Sequence, residues 1–332
     1  MERRHDRYWS CLTANGMLPA PIASSLPPMP LPLICRTATP FAADLSLDVP
    51  ALEAHLERVV GHGHGVYLAS GGSGESHALS LDEIRRVYEV GVAQCRGRVP
   101  VFANPPEQHT AEAALAHAEL AAEAGVEMVN LYGPSALHGY VPTDEEYRAY
   151  HDRFLDAFRR PVALAPNPII GYAPRAASVA ALCNRYGQIR AINLALQTEA
   201  YMAELLDALN RPVDIYVPVS GALNMLAMGA KGLLGAEANI LPATHRSFAA
   251  CYDRGDLAGA GAPLRDIRRF TRFVSAWGLS PRWLKMAMRV LDLPGGAGGP
   301  RPPYLLPGGA DLAAFERGLR DLRIPEIDAL DA

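Results

Sequence analysis

The chain has 332 residues, 49% of them hydrophobic and 20% charged, a balance that suits a soluble globular protein and excludes a disordered or membrane-embedded one. Its formal net charge of −4 gives no electrostatic indication of a nucleic-acid or membrane surface. The cysteines form no CxxC pair and no cluster at metal-ligand spacing, which predicts a reduced, cytoplasmic protein.

Residues 1–32 form the first segment of the chain. Arginines follow Met1 closely, and prolines then interrupt the apolar stretch, so the segment makes a poor signal-peptide core. We expect a disordered or loosely attached tail. Met17 and Met29 are both available as alternative starts.

Short β-type runs alternate with amphipathic helical runs from Leu33 onward, which predicts a parallel sheet with helices outside it. A doubly wound open sheet produces the same alternation, but eight units favour a (β/α)8 barrel, which we place at residues 33–240. The predicted strands are Leu33–Thr37, Gly65–Ala69, Val99–Ala103, Met128–Tyr132, Pro161–Ala165, Ile189–Leu194, Val213–Pro218 and Lys231–Ala236.

Start and stop signals delimit several of the intervening helices. Ser80 and Thr143 each precede a glutamate by three residues, the pattern of a capping box. Thr110 opens an alanine-rich helix that is predicted to end at Gly125.

The chain becomes all-helical after the eighth strand. We interpret residues 241–332 as the last barrel helix followed by a C-terminal helical extension, in which a Gly- and Pro-rich linker precedes the final helix. The helical runs are Ala243–Arg254, Ala262–Ala276, Pro281–Leu291 and Ala310–Leu322, and the linker is Gly295–Gly309.

Several motifs occur in a fixed order along this pattern. Thr39-Pro40-Phe41 follows the first strand, Gly71-Gly72-Ser73-Gly74-Glu75-Ser76 follows the second, Gly229-Ala230-Lys231-Gly232 introduces the eighth, and Arg301-Pro302-Pro303 precedes the final helix. Together they resemble the dihydrodipicolinate synthase / N-acetylneuraminate lyase family, whose glycine-rich loop reads GTTGES. The resemblance implies a (β/α)8 barrel that condenses or cleaves α-keto acids through a lysine Schiff base and a tyrosine proton relay.

The positions that carry this chemistry differ here. The family's lysine position is Asn193, and its relay tyrosine after the fifth strand is Ala165. The first threonine of GTTGES is Gly72, whereas Ser73 keeps a hydroxyl at the second. Ser135-Ala136 and Ile169-Ile170 stand where the family often has adjacent tyrosines and a carboxylate-binding arginine.

Only two lysines occur in the sequence. Lys231 precedes the eighth strand, at the end of the barrel opposite the catalytic loops, and Lys285 lies in a C-terminal helix where the family often has a structural lysine. Neither position suits an imine, so Schiff-base chemistry is not expected.

The polar residues at the predicted strand ends define a candidate binding site. By resemblance, Ser73 and the amides beside it bind a carboxylate, although the same loop can serve only as a tight turn. Asn193 either stabilises developing enolate charge or fills the space of the lysine. The candidate substrate-binding residues are Gly72, Ser73, Gly74, Tyr132 and Asn167.

Few groups in this set titrate near neutral pH. Glu237 is the best candidate for a general base if it points inward, and His138 and Tyr140 can restore a proton relay from the lengthened loop after the fourth strand. A salt-bridged carboxylate and a solvated loop histidine are the structural alternatives. Glu75 matches the glutamate of GTTGES, whose role in the family is mainly structural.

The pair His62 and His64 has HxH spacing, but it lies in the turn before the second strand with no further ligand in the sequence. We therefore interpret this segment as a glycine-rich turn and expect no metal. No Walker loop or dinucleotide fingerprint is present, and no cofactor is expected.

These observations lead to two hypotheses. The first is an enzyme of the lyase, hydratase, isomerase or cyclase type that acts on a small carboxylated or keto-acid metabolite without a covalent imine. The second is a catalytically inactive homologue that binds a ligand or a partner subunit. By resemblance, the chain is expected to form a homodimer or homotetramer.

Overall fold

The computed structural model describes residues 30–331, and the segment before residue 30, where the N-terminal tail was expected, lies outside the described residues. Eight parallel strands close into a barrel in chain order, sealed by pairing of the first strand with the eighth at Leu33 and Leu233. The strands are β1 (Leu33–Arg36), β2 (Gly65–Leu68), β3 (Val101–Ala103), β4 (Met128–Tyr132), β5 (Val162–Ala165), β6 (Ile189–Asn193), β7 (Asp214–Val217) and β8 (Gly232–Gly235).

The predicted (β/α)8 barrel is confirmed, and each predicted strand range contains the strand observed. Helices cover the outside of the barrel and continue into the C-terminal region. They are α1 (Val49–Gly61), α2 (Leu81–Cys95), α3 (Ala111–Ala124), α4 (Asp144–Ala157), α5 (Ala176–Arg185), α6 (Glu199–Ala208), α7 (Ala222–Ala227), α8 (Pro242–Asp253), α9 (Leu257–Ser275), α10 (Arg282–Val290), α11 (Gly309–Arg320) and α12 (Pro325–Asp328).

The predicted helix caps are present. Ser80 and Thr143 each accept a backbone N–H bond three residues on, and the glutamate at that position bonds back to the cap amide. Thr110 caps the start of α3, and Gly125 ends it with a φ of 90°, a conformation that glycine adopts readily.

Helix α9 begins five residues before the predicted Ala262. Asp256 caps it by accepting a 2.7 Å hydrogen bond from the amide of Gly259. Pro263 is the seventh residue of this helix, so it leaves the carbonyl of Gly259, four residues earlier, without its helical N–H partner.

One buried side chain from every strand meets inside the barrel: Ile34, Tyr67, Phe102, Met128, Ala163, Ala191, Tyr216 and Leu234. Side chains alternate between the two faces of a strand, so a residue two positions after each of these also points inward, toward the carboxyl ends of the strands. This alternation decides which side chains meet at the mouth of the barrel.

A larger apolar core lies between the strands and the surrounding helices, and a second buried cluster joins α9, α10, α11 and α12. The second cluster includes Phe270, Trp283 and Phe315. The boundary expected at residue 240 between barrel and extension stays a prediction. Within residues 30–331, no helix combines the length and apolar character needed to cross a membrane.

Candidate active site at the barrel mouth

A narrow, polar crevice lies at the carboxyl ends of the strands, where barrel proteins of this architecture carry their active sites. Five of its lining residues follow from the inward alternation, each lying two positions after a residue of the interior layer. The lining consists of Arg36, Tyr67, Asn104, Asn130, Tyr132, Ala165, Asn167, Asn193 and Ala195.

Three asparagine side chains form a directional chain across this crevice. The amide nitrogen of Asn193 donates to the Asn130 oxygen at 2.7 Å, and the amide nitrogen of Asn130 donates to the Asn104 oxygen at 2.8 Å. Asn193 also donates to the hydroxyl of Tyr67 at 2.9 Å. Both amide hydrogens of Asn193 are therefore engaged, while its buried oxygen Oδ1 has no hydrogen-bond partner within residues 30–331.

The two tyrosines of the crevice stay protonated across the neutral range. Burial raises the pKa of Tyr67, although the hydrogen bond from Asn193 opposes the shift. Burial also raises the pKa of Tyr132, an effect that the nearby Arg36 charge reduces. Both hydroxyls can therefore donate hydrogen bonds, but neither is a base at neutral pH.

Arg36 was not anticipated from the sequence. It is the last residue of β1, two positions after Ile34 of the interior layer, and it lines the crevice in a partly buried position. The alternation within β1 would have indicated that its side chain points into the barrel. Tyr67, an interior residue of β2, was missed as well.

Of the predicted binding residues, Tyr132 and Asn167 line the crevice. Gly72 instead lines a wider cleft of about 750 Å³ above the loops that follow β2, β4 and β5. Ser73 is buried in the loop and Gly74 donates its amide to the Ser70 hydroxyl at 3.0 Å. Neither of these two residues is among those that line the crevice or the cleft.

The glycine-rich loop uses much of its own hydrogen-bonding capacity. The amide of Glu75 donates to Gly72, and that of Ser76 donates to Ser70. A Cβ at Gly74 would lie 2.5 Å from the backbone nitrogen of Ser70, so the turn requires glycine there. The loop therefore makes a tight turn, and an additional role in carboxylate binding stays a prediction.

The predicted acid-base residues lie apart from Asn193. Glu237 occupies the turn after β8, where it accepts a 3.4 Å hydrogen bond from Thr271 of α9, and it does not line the crevice. His138 lies in the exposed loop after β4, and the Tyr140 ring lies 5.9 Å from that of His109. Within this chain, none of the three residues reaches the crevice.

Glu107 is a carboxylate at the rim that sequence reasoning did not single out. It lies in the loop after β3 and lines the wider cleft together with Gly71. The two are close, since a Cβ at Gly71 would lie 2.9 Å from a carboxylate oxygen of Glu107. The Glu107 charge also contributes to the raised pKa of Tyr132, after burial.

An apolar cluster surrounds Ala165, the residue that we align with the family's relay tyrosine. Ile170 is buried against Ala165 and Tyr132, at the side of the crevice, whereas its neighbour Ile169 is 52% exposed. Ile170 lines the wider cleft, and Ala165 and Tyr132 line the crevice, so this cluster lies between the two.

Neither lysine lies at the crevice. Lys231 is exposed and immediately precedes β8, at the amino end of the barrel. Lys285 is fully buried on α10, where it donates to the carbonyl of Thr39 and lies 3.7 Å from the carboxylate of Glu75. Glu75 also accepts a 2.8 Å hydrogen bond from the amide of Arg301.

The structure brings no group of three or more potential metal-binding side chains together within residues 30–331. His64, one of the two histidines of the HxH segment, is buried and bonds to the carbonyl of Pro242 at 3.0 Å. His62 lies at the exposed end of the same turn.

A closed parallel barrel with a polar crevice at the carboxyl ends of its strands defines the class of (β/α)8 barrel proteins with a candidate active site at the usual face. A family model described as the dihydrodipicolinate synthetase family matches residues 30–307. The chain belongs to this family.

Individual relatives agree with this assignment. A 4-hydroxy-tetrahydrodipicolinate synthase of Hyphomonas neptunium is 30% identical over 287 residues, covering 84% of this chain and 92% of the relative. The corresponding enzyme of Agrobacterium fabrum is 28% identical over 229 residues, covering 67% of this chain and 75% of the relative. A solved structure of a putative dihydrodipicolinate synthetase from Pseudomonas aeruginosa has a TM-score of 0.78 at 24% identity, covers 88% of this chain and 99% of its own, and supports the fold.

Proposed function

We propose that this chain is an enzyme of the lyase, hydratase, isomerase or cyclase type that acts on a small carboxylated or keto-acid metabolite in the crevice, without a lysine imine. The observation that carries the proposal is the buried amide network of Asn193, the residue that we align with the family's lysine. An amide nitrogen is not nucleophilic, because its lone pair is delocalised into the carbonyl, so it cannot form an imine.

The surroundings of the two lysines support the same conclusion. Lys231 lies at the opposite end of the barrel, and Lys285 is enclosed by Thr39 and Glu75 with no exposed surface. We expect that treatment with pyruvate and borohydride leaves the mass of the intact protein unchanged. A stable increase equal to a reduced pyruvate adduct would overturn the proposal.

Glu107 supports an enzymatic role, because it supplies a carboxylate at the rim where the crevice residues lack one. We propose it as the general acid-base group, in preference to Glu237, which bonds to Thr271. The assay is turnover of a panel of small hydroxy and keto acids, followed by loss of a substrate or gain of a product in NMR spectra.

The alternative is a catalytically inactive homologue, and the observation that favours it is the burial of Ile170 beside Ala165 and Tyr132. Apolar packing at the position of the relay tyrosine removes a proton-transfer group without replacing it. Saturable binding of an acid without any turnover across the panel would favour this alternative over the enzyme.

Assembly into dimers or tetramers stays part of the proposal. The loop after β4 exposes apolar side chains, with Leu137 56% and Val141 58% exposed, which supports contact with a second copy. We expect light scattering to give the mass of a dimer or tetramer and the variant Val141→Asp to shift that mass downward. A monomeric mass for the unmodified protein would contradict this expectation.

A further inference from the structure

The crevice holds a cation without a counter-ion. Arg36 lines it in a partly buried position, yet none of the side-chain hydrogen bonds or ion pairs found across residues 30–331 involves its guanidinium. By contrast, the partly buried Arg58 donates to the carbonyls of Asn239 and Ile240. A guanidinium stays charged at any physiological pH and carries five N–H donors, so one left unbonded in a crevice is suited to an anionic ligand.

The crevice also holds an acceptor without a donor. Asn193 is 3% exposed and its two amide hydrogens go to Tyr67 and Asn130, which leaves Oδ1 as its only unused atom. A buried, unpaired acceptor destabilises the protein, and a ligand that supplies an O–H or N–H donor removes this penalty.

The orientation of this acceptor is set by its neighbours. Asn130 gives its nitrogen to Asn104 and presents its oxygen to Asn193, which presents its nitrogen in return. The family-like interpretation of Asn193 as a donor to a keto oxygen is thus not the one that this network favours.

We propose that the crevice selects a small hydroxy acid, with the carboxylate against Arg36 and the hydroxyl donating to Oδ1 of Asn193. The inference rests on the proposed function, since it takes the crevice as the substrate site. It also requires the lining side chains to move apart on binding, because the narrow crevice has no room for a water-sized group in this structure. An ammonium group would satisfy the same acceptor, but it would share the crevice with the Arg36 charge, and the carboxylate of Glu107 lines the wider cleft rather than the crevice itself. A keto oxygen would instead face Oδ1 as a second acceptor.

Calorimetry on the unmodified protein gives the first test, with lactate, pyruvate and lactamide as probes of equal heavy-atom number. We expect lactate to bind at least about tenfold more tightly than pyruvate, because only lactate offers a donor to Asn193. Lactate should exceed lactamide by a similar factor, because only lactate brings a negative charge to Arg36. This comparison needs no variant, so it does not depend on whether a substitution folds.

Two variants then locate the contacts. Arg36→Met should weaken lactate binding at least about tenfold, and Asn193→Leu should reduce the preference for lactate over pyruvate to near unity. The matched control is Arg86→Met, on the exposed surface of α2, which should bind lactate like the unmodified protein.

The outcomes separate the two proposals. Pyruvate binding as tightly as lactate, lactamide binding as tightly as lactate, or full lactate affinity in Arg36→Met would each overturn the hydroxy-acid inference while leaving an acid-binding crevice in place. If none of the three probes nor any other small acid binds, the proposed function fails together with the inference.

Discussion

Two charged regions near the first strand differ in how completely their groups are paired. Behind the barrel mouth, Lys285, Glu75 and Arg301 bond to one another or to carbonyls, Arg301 also pairs with both oxygens of Glu83, and Glu75 Oε1 has the Lys285 ion pair at 3.7 Å without a hydrogen bond. In the crevice, the Arg36 side chain has neither an ion pair nor a hydrogen bond within residues 30–331, and Asn193 Oδ1 has no donor there. We infer that the first region stabilises the fold and that the second binds a ligand. Unpaired buried polar groups are costly, and proteins keep them mainly at functional sites.

The largest effect on stability is expected in the paired region of Lys285, Glu75 and Arg301. Replacing Lys285 with Met leaves the Glu75 carboxylate buried without its cation, and we expect a loss of about 3–5 kcal/mol in the free energy of unfolding. Urea denaturation measures it. The double variant Glu75→Leu with Lys285→Met serves as the control and should recover part of the loss. If Lys285→Met alone is as stable as the unmodified protein, the paired region does not stabilise the fold as inferred.

The next largest effect is expected on kcat, from replacing Glu107 at the rim of the crevice. If Glu107 transfers protons, Glu107→Gln should lower kcat about 100-fold or more and leave the stability of the protein close to that of the unmodified chain. Glu237→Gln is the comparison, and we expect it to retain most of the activity. Equal losses in both variants would argue for a shared structural effect.

The paired region should also respond to pH. Burial lowers the pKa of Lys285 to about 8, against a usual value of 10.5, despite the attraction of Glu75. The unfolded chain then binds more protons than the folded one between these two values, so the contribution of Lys285 to stability rises with pH there, by at most about 1.4 kcal/mol per pH unit. Urea titrations at pH 8 and pH 9 should show this rise, and Lys285→Met should lack it.

The smallest effect is expected on the stability of the protein when Arg36, in the unpaired region, is replaced. Arg36→Met removes no hydrogen bond or ion pair found among residues 30–331, so the free energy of unfolding should change by less than about 0.5 kcal/mol. Thermal unfolding without ligand provides the measurement. A loss as large as that of Lys285→Met would mean that Arg36 is a structural residue and would remove the basis of the comparison.

Much of the fold could be predicted from local patterns. The alternation of strands and helices, together with the caps at Ser80, Thr110 and Thr143, depends on interactions between residues close in sequence. The start of α9 was missed because Pro263 and the nearby glycines disfavour a helix, whereas Asp256 caps one. Burial of the apolar face of α9, including Leu264 and Ile267, together with this cap outweighs local propensity there.

The site was less accessible from the sequence. Motif alignment led to Asn193, Tyr132 and Asn167, but it compares positions with known roles and so passed over Arg36 and Glu107. The amide chain joins residues 63 positions apart, and its direction depends on three-dimensional neighbours. A stricter use of the inward alternation would have found Arg36, but nothing in the sequence would have shown that its guanidinium is unpaired.

The three asparagine side chains donate in one direction across the crevice, and a substitution at one end of this chain can reverse that direction. Asn104 lies at its far end, and it accepts from Asn130 as Asn130 accepts from Asn193. A residue at position 104 that only donates would turn Asn130 around, turn Asn193 in response, and present a nitrogen where an oxygen now stands. A relative with such a residue at position 104 would therefore prefer a keto oxygen to a hydroxyl at Asn193, although the substitution lies two amides away from the ligand.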